Sequence, residues 1–98
     1  MYMKTTDYLR LLRQYKESHA DKYGIERIGI FGSVARGEHT KDSDVDIVVH
    51  LTRPRLFNMV HIKNDLQHLF GCPVDIVRAR ENMDSLLRTT IQRDGIYA

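Results

Sequence analysis

Ninety-eight residues, 42% of them apolar, carry a net charge of +2 and a single cysteine, Cys72. That length suits one small domain spanning 1–98, with one core and little room for a second. The basic surplus is small and dispersed, so direct nucleic-acid binding is not expected.

No apolar run approaches a membrane helix, and the opening MYMKTTDYLRLL lacks the basic-then-apolar pattern of a signal peptide. One cysteine excludes an intramolecular disulfide and fits a reducing compartment. A cytoplasmic protein without membrane attachment is expected.

Thr5 or Thr6 can cap a first helix with Asp7 near its positive end; Tyr8, Leu9, Leu12 and Tyr15 or Lys16 supply one face, and Gly24 stops it. The β-branched stretch Ile25 to Phe31 predicts a strand with Ile28 and Ile30 on one face and Gly29 and Phe31 on the other. A short helical turn over Ser33 to Arg36 follows, closed by Gly37, and Glu38 to Ser43 is a polar loop. A second strand runs from about Asp44 to Leu51.

Pro54 marks a helix start, with Leu56, Met59, Val60, Leu66, Leu69 and Phe70 as its apolar stripe and Lys63 as the one polar member at its edge. Gly71 and Pro73 end it, and Val74 to Val77 forms a third strand with Asp75 and Val77 on one face. A last helix is expected from Asn82 or Met83 to Arg93, ended by Asp94-Gly95, with Ile96 packing back. The predicted order is α-β-α-β-α-β-α, a mixed α/β (α+β) fold with a three-stranded sheet and helices mainly on one face. The long helix between the second and third strands suits a parallel crossover, and the short link before the second strand suits an antiparallel pair.

Chemistry gathers between Phe31 and Val49. Gly32-Ser33 ends one apolar strand, and after ten intervening residues Asp44-x-Asp46 opens another. Strand alternation puts both carboxylates on the side opposite Val45, Ile47 and Val49. Two carboxylates so placed suit one hard cation, or two about 3.5–4 Å apart. Beside them, Gly32 lets backbone approach a phosphate closely, and the Ser33 hydroxyl adds a donor. Such an arrangement serves a metal-bound nucleoside triphosphate.

Asp75, on a second strand, is the third candidate carboxylate. Arg36, on the same turn as Ser33, either grips a phosphate bidentately or pairs with Glu38 as a surface residue. Lys41, Arg78 and Arg80 have only nearness in sequence to recommend them. Two other motifs fail: DSDVDI lacks the glycine and distal glutamate of an EF-hand, and GSVARG lacks the Gly-Lys-Ser/Thr ending of a Walker loop. The five histidines show no metal-ligand spacing.

The pattern G-S-x10-D-x-D, embedded as GSVARGE and SDVDIVV, resembles the nucleotidyltransferases of the DNA polymerase β superfamily. The short length points to their minimal nucleotidyltransferase branch. The resemblance implies the nucleotidyltransferase fold, with two Mg²⁺ ions held by Asp44 and Asp46, and Asp75 completing the site near the attacking hydroxyl. Gly32, Ser33 and Arg36 would bind the nucleotide, and ATP would be the substrate. It also implies a partner: a HEPN-domain ribonuclease toxin that the branch adenylylates on tyrosine as its antitoxin, so that an assembly of like or unlike chains is expected. The alternative is an idle module of the same fold that neutralises a HEPN partner by contact alone.

Overall fold

The computed structural model describes residues 3–53, 55–80 and 82–98. Helix α1 (Thr5–Tyr23) buries Tyr8, Leu12, Tyr15 and Tyr23. Its cap differs from the expected threonine. Lys4 occupies the cap position and its backbone N–H donates to Asp7 Oδ2 at 2.9 Å. Thr5 is already helical, and its hydroxyl donates 2.6 Å to the Val34 carbonyl. That hydroxyl fastens α1 to the next helix instead of capping its own.

Strand β1 (Ile25–Phe31) leads directly into the short helix α2 (Gly32–Arg36), and β2 (Val45–Leu51) follows the polar loop. Helix α3 (Leu56–Phe70), β3 (Val74–Arg78), α4 (Ser85–Asp94) and a two-residue β4 (Ile96–Tyr97) complete the order. Pro54, read as the marker of the α3 start, lies outside the described residues. The sheet order is β3-β2-β1-β4. As the connection lengths predict, β1 pairs antiparallel with β2, while β2 pairs parallel with β3.

The sheet therefore has four strands, not three. Ile96, expected to pack against the last helical turn, instead pairs with Ile30, and Tyr97 pairs with Gly29. Gly29 makes this possible. A β-carbon there would stand 2.6 Å from the Ile96 carbonyl oxygen, so only glycine lets the last strand approach. The Ala98 N–H then donates 2.9 Å to the Ile28 carbonyl.

Strand alternation divides the core in two. On one face Ile28, Ile30, Val45, Ile47, Val49 and Val74 pack with α1 and α3. On the other, Phe31 and Val48 pack under Ile91 of α4. The helices are thus split between faces and do not lie mainly on one, because α4 covers the side opposite α1 and α3. Tyr15 ties α1 to α3 by donating 2.8 Å to Asp65 Oδ2, and burial together with that bond pushes its phenol pKa upward.

Helix α3 also turns differently from its predicted stripe. Ile62, Leu66 and Phe70 are buried and Met59 partly so, while Leu56 and Phe57 are 76% and 77% exposed. Val60 and Leu69 face outward as well. The helix carries more than one apolar line. Bonds at Asp65 and at Gln67, whose Oε1 accepts from the Val74 N–H at 3.1 Å, accompany the rotation that selects the inner one.

Gly29→Ala is expected to destabilise the fold by about 1–3 kcal/mol, the range for forcing atoms into a filled space. Denaturant unfolding reads the loss, and faster hydrogen exchange at the Ala98 amide locates it in β4. Unchanged stability and exchange would show that β4 does not need the close approach.

Candidate active site

The centre of β2 places one carboxylate against two neighbours. Asp46 is opposite Phe31 on β1 and opposite Asp75 on β3. Adjacent strands run about 4.8 Å apart, so the Asp46 and Asp75 side chains rise side by side from one sheet face. It is the face of Phe31 and Val48, not that of the main core. Asp44 stands two residues earlier, exposed and just outside the strand.

Gly32 follows Phe31 with φ +72°, a left-handed conformation in which a side chain is strained. A β-carbon on Gly32 would also collide with Asp46 Oδ2. Glycine thus lets the bend after β1 come directly against the half-buried Asp46 carboxylate. Ser33 is next in α2 and half-buried, and its carbonyl accepts the Glu38 N–H at 2.9 Å to close the turn.

The charges interact. Burial is the main cause that raises Asp46 above its ordinary pKa of 3.8, followed by the negative fields of Asp75 and Asp44; Arg36 opposes them. All four side chains therefore belong to one electrostatic neighbourhood. Arg36 Nε donates 3.1 Å to Glu38 Oε2, and its Nη1 donates 2.9 Å to Asp94 Oδ2. The pairing with Glu38 is the one observed, and the Arg36 charge also reaches the carboxylates.

Asp94 had no assigned role beyond ending α4. Its side chain is only 7% exposed, and Arg93 and then Arg36 hold its carboxyl below the usual range. It links α4 to α2 from the far end of the chain. No local pattern signals such a contact across 58 residues. Buried His39, in the polar loop, is likewise a tertiary feature: its Nε2 donates 2.6 Å to the Met3 carbonyl, holding the loop against the start of α1.

Among the described residues, no group of three His, Cys, Asp or Glu side chains forms a ready-made ion cage. The donor set nevertheless fits a hard divalent cation. It consists of carboxylates, and their mutual repulsion at Asp46 is the kind that a cation relieves. Asp46 and Asp75 are the pair placed by register, and Asp44 is the exposed third on the preceding loop.

This repulsion has a measurable cost without metal. A carboxyl raised in the folded state favours folding when protonated, so it subtracts stability at neutral pH. The penalty fades as pH falls through the raised value toward 3.8. In EDTA, Asp46→Asn is therefore expected to melt above wild type near neutral pH, with the difference shrinking on acidification. A lower melting temperature for the variant at neutral pH would contradict this account.

Comparison with known proteins agrees with the geometry. The nucleotidyltransferase domain family matches residues 12–98. Protein adenylyltransferase MntA of Thermococcus cleftensis is 34% identical over 88 residues, covering 89% of this chain and 88% of that one. A solved structure of minimal-nucleotidyltransferase type superposes with a TM-score of 0.76 at 35% identity, covering 97% of this chain and 96% of the other. A Shewanella oneidensis MNT antitoxin in complex with a tri-AMPylated HEPN toxin shares the fold at a TM-score of 0.60, with 19% identity over 95% of this chain and 66% of that one. With the Gly32-Ser33 bend set against Asp46 and Asp75, these likenesses show that the chain belongs to the nucleotidyltransferase domain family, in its minimal branch.

Proposed function

We propose that this protein transfers AMP from ATP to a hydroxyl of a partner protein, in the manner of a protein adenylyltransferase antitoxin. The observation that carries the reading is the register of Asp46 beside Asp75, with Gly32 bare against the Asp46 carboxylate. An anion-binding turn and paired carboxylates at one strand end suit a triphosphate that arrives with its cation. The name of the Thermococcus relative and the AMPylated partner in the Shewanella complex support the choice of acceptor class.

In this reading Asp44, Asp46 and Asp75 hold two magnesium ions, which when bound supply charge neutralisation for the triphosphate. Gly32 and Ser33 seat the phosphates through backbone and hydroxyl donors. Arg36 exchanges a carboxylate partner for a phosphate oxygen, a switch between ligands of the same geometry. Asp75, on the outer strand of the pair, lies nearest to an incoming acceptor and receives its proton. The acceptor oxygen bonds to the α-phosphorus as the bond from that phosphorus to the bridging oxygen breaks. Pyrophosphate leaves with the electron pair. Orientation and electrostatics supply most of the rate.

An exposed apolar surface favours a protein as the acceptor. Leu56, Phe57 and Val60, exposed on the first turns of α3, form an apolar surface of the sort that protein partners cover. A HEPN-domain toxin, modified on tyrosine, is the acceptor this reading names. No helix among the described residues is long and apolar enough to cross a membrane, in keeping with a reaction between cytoplasmic partners.

With purified HEPN partner, ATP and magnesium, intact-mass measurement is expected to show the partner gaining one or more AMP units. Asp44→Ala should bind the partner without modifying it. Protection of cells by that variant equal to wild type would instead favour a module that neutralises by contact.

Ser33→Ala tests the phosphate seat. A hydrogen bond to a charged group is worth about 1.5–3 kcal/mol, so transfer should fall roughly 10- to 150-fold. Complete loss, with a nucleotide trapped covalently on Ser33 in wild type, would point to a nucleophilic serine in place of direct transfer.

A further inference from the structure

The α4 face of the sheet carries a second recess, separated from the carboxylates. Asp46, Val48 and His50 alternate onto this face of β2, and Val48 is covered by Ile91 and Phe31. Asp46 and His50 are thus about 13 Å apart along the strand, with α4 crossing between them. Around His50 opens a cavity of about 570 Å³, lined by Arg27, Arg80 and Arg88 from three different parts of the chain. Asp44, Asp46 and Asp75 are not among its walls.

Its polar side is held in place. The Arg27 guanidinium lies over Tyr97, 3.8 Å from the ring centre. The Tyr97 hydroxyl and His50 Nε2 share a hydrogen bond of 2.7 Å, and Arg88 donates 3.3 Å to the Arg80 carbonyl. Stacking uses the face of a guanidinium and leaves its edge donors for a ligand. Burial and the Arg27 charge hold the His50 imidazole below its ordinary value, so His50 steadies Tyr97 as a neutral group. Among the described residues no wall residue is acidic, and no ion pair engages Arg27 or Arg80.

We infer that this pocket binds a phosphate-bearing small molecule with a flat apolar body, of the nucleoside monophosphate class. Arg27 and Arg80, which no ion pair among the described residues engages, line it together with Arg88. A carboxylate has two oxygens to share, whereas a terminal phosphate presents three and is matched by guanidinium forks. Met83 and Ile91 add apolar lining that suits a base-like ring and not a bare ion. The volume falls within the ordinary range of small-ligand pockets, about 300–1,000 Å³. Because α4 stands between, such a ligand occupies this pocket independently of the triphosphate at the carboxylates.

The test uses the full chain in EDTA, with AMP, adenosine and inorganic phosphate as probes, followed by calorimetry and amide NMR. AMP is expected to bind and to shift the amides of Ala79, Gly95 and Tyr97, leaving Gly32 and Ser33 in place. Arg27→Lys, which keeps the charge but loses the fork, should weaken AMP about 10- to 150-fold. Arg80→Gln provides the same measurement from a different element should the first variant disturb β4. Asp44→Asn with Asp46→Asn should leave AMP affinity unchanged. Adenosine or phosphate binding as tightly as AMP would overturn the two-part pocket. Absence of AMP binding, or binding that shifts Gly32 and Ser33 and survives both arginine variants, would overturn the site.

Discussion

Everything in this protein depends on β2 being paired along both edges. With β1 antiparallel on one side and β3 parallel on the other, its backbone is saturated and its side chains must alternate. Val45, Ile47 and Val49 then go into the main core, and Asp46, Val48 and His50 go to the other face. A one-residue slip would send Asp46 into the helix-covered core and Ile47 to the site. The hydrophobic effect that anchors the valines therefore also aims the carboxylate.

That same alternation sets two electrostatic regions on one face. At one end of β2, burial and then the neighbouring Asp75 and Asp44 raise Asp46 above its ordinary value. At the other end, arginines surround His50. Ile91 sits between them over Val48 and Phe31, so α4 acts as a partition as well as a cover. Its position is held from both directions: β4 continues the chain back into the sheet, and Asp94 joins Arg36 on α2. An acidic end suits a cation-bound triphosphate, and a basic end suits an anion that arrives without a metal.

The Arg36–Asp94 pair joins the end of α4 to the turn that follows β1. Arg36 is positioned there by two carboxylates, Glu38 and Asp94. The Glu38 carboxylate is exposed and such pairs contribute little to stability, whereas that of Asp94 is nearly buried. The consequence is positional: the end of α4, and through it β4, is coupled to the Gly32–Arg36 turn.

Much of the site was legible in the sequence because its determinants are local. Gly32-Ser33 at a strand end and Asp44-x-Asp46 at a strand start are set by two-residue alternation and by a bend only glycine makes easily. Asp75 could be placed on the right face from Val74 and Ile76 alone, and the antiparallel and parallel pairings followed from connection lengths. The fourth strand was not legible. Ile96-Tyr97 is too short to carry a period, and its pairing depends on an empty space at Gly29 far away in the chain. Nor could periodicity choose among the apolar lines of α3, since only the packing against α1 and the sheet determines which one is buried. Asp94 beside Arg36, and the arginines gathered around Tyr97, are products of the same kind: residues with no local pattern, brought together when α4 crosses the sheet. Local geometry determined where the carboxylates and the Gly32-Ser33 turn stand, and tertiary packing decided what surrounds them.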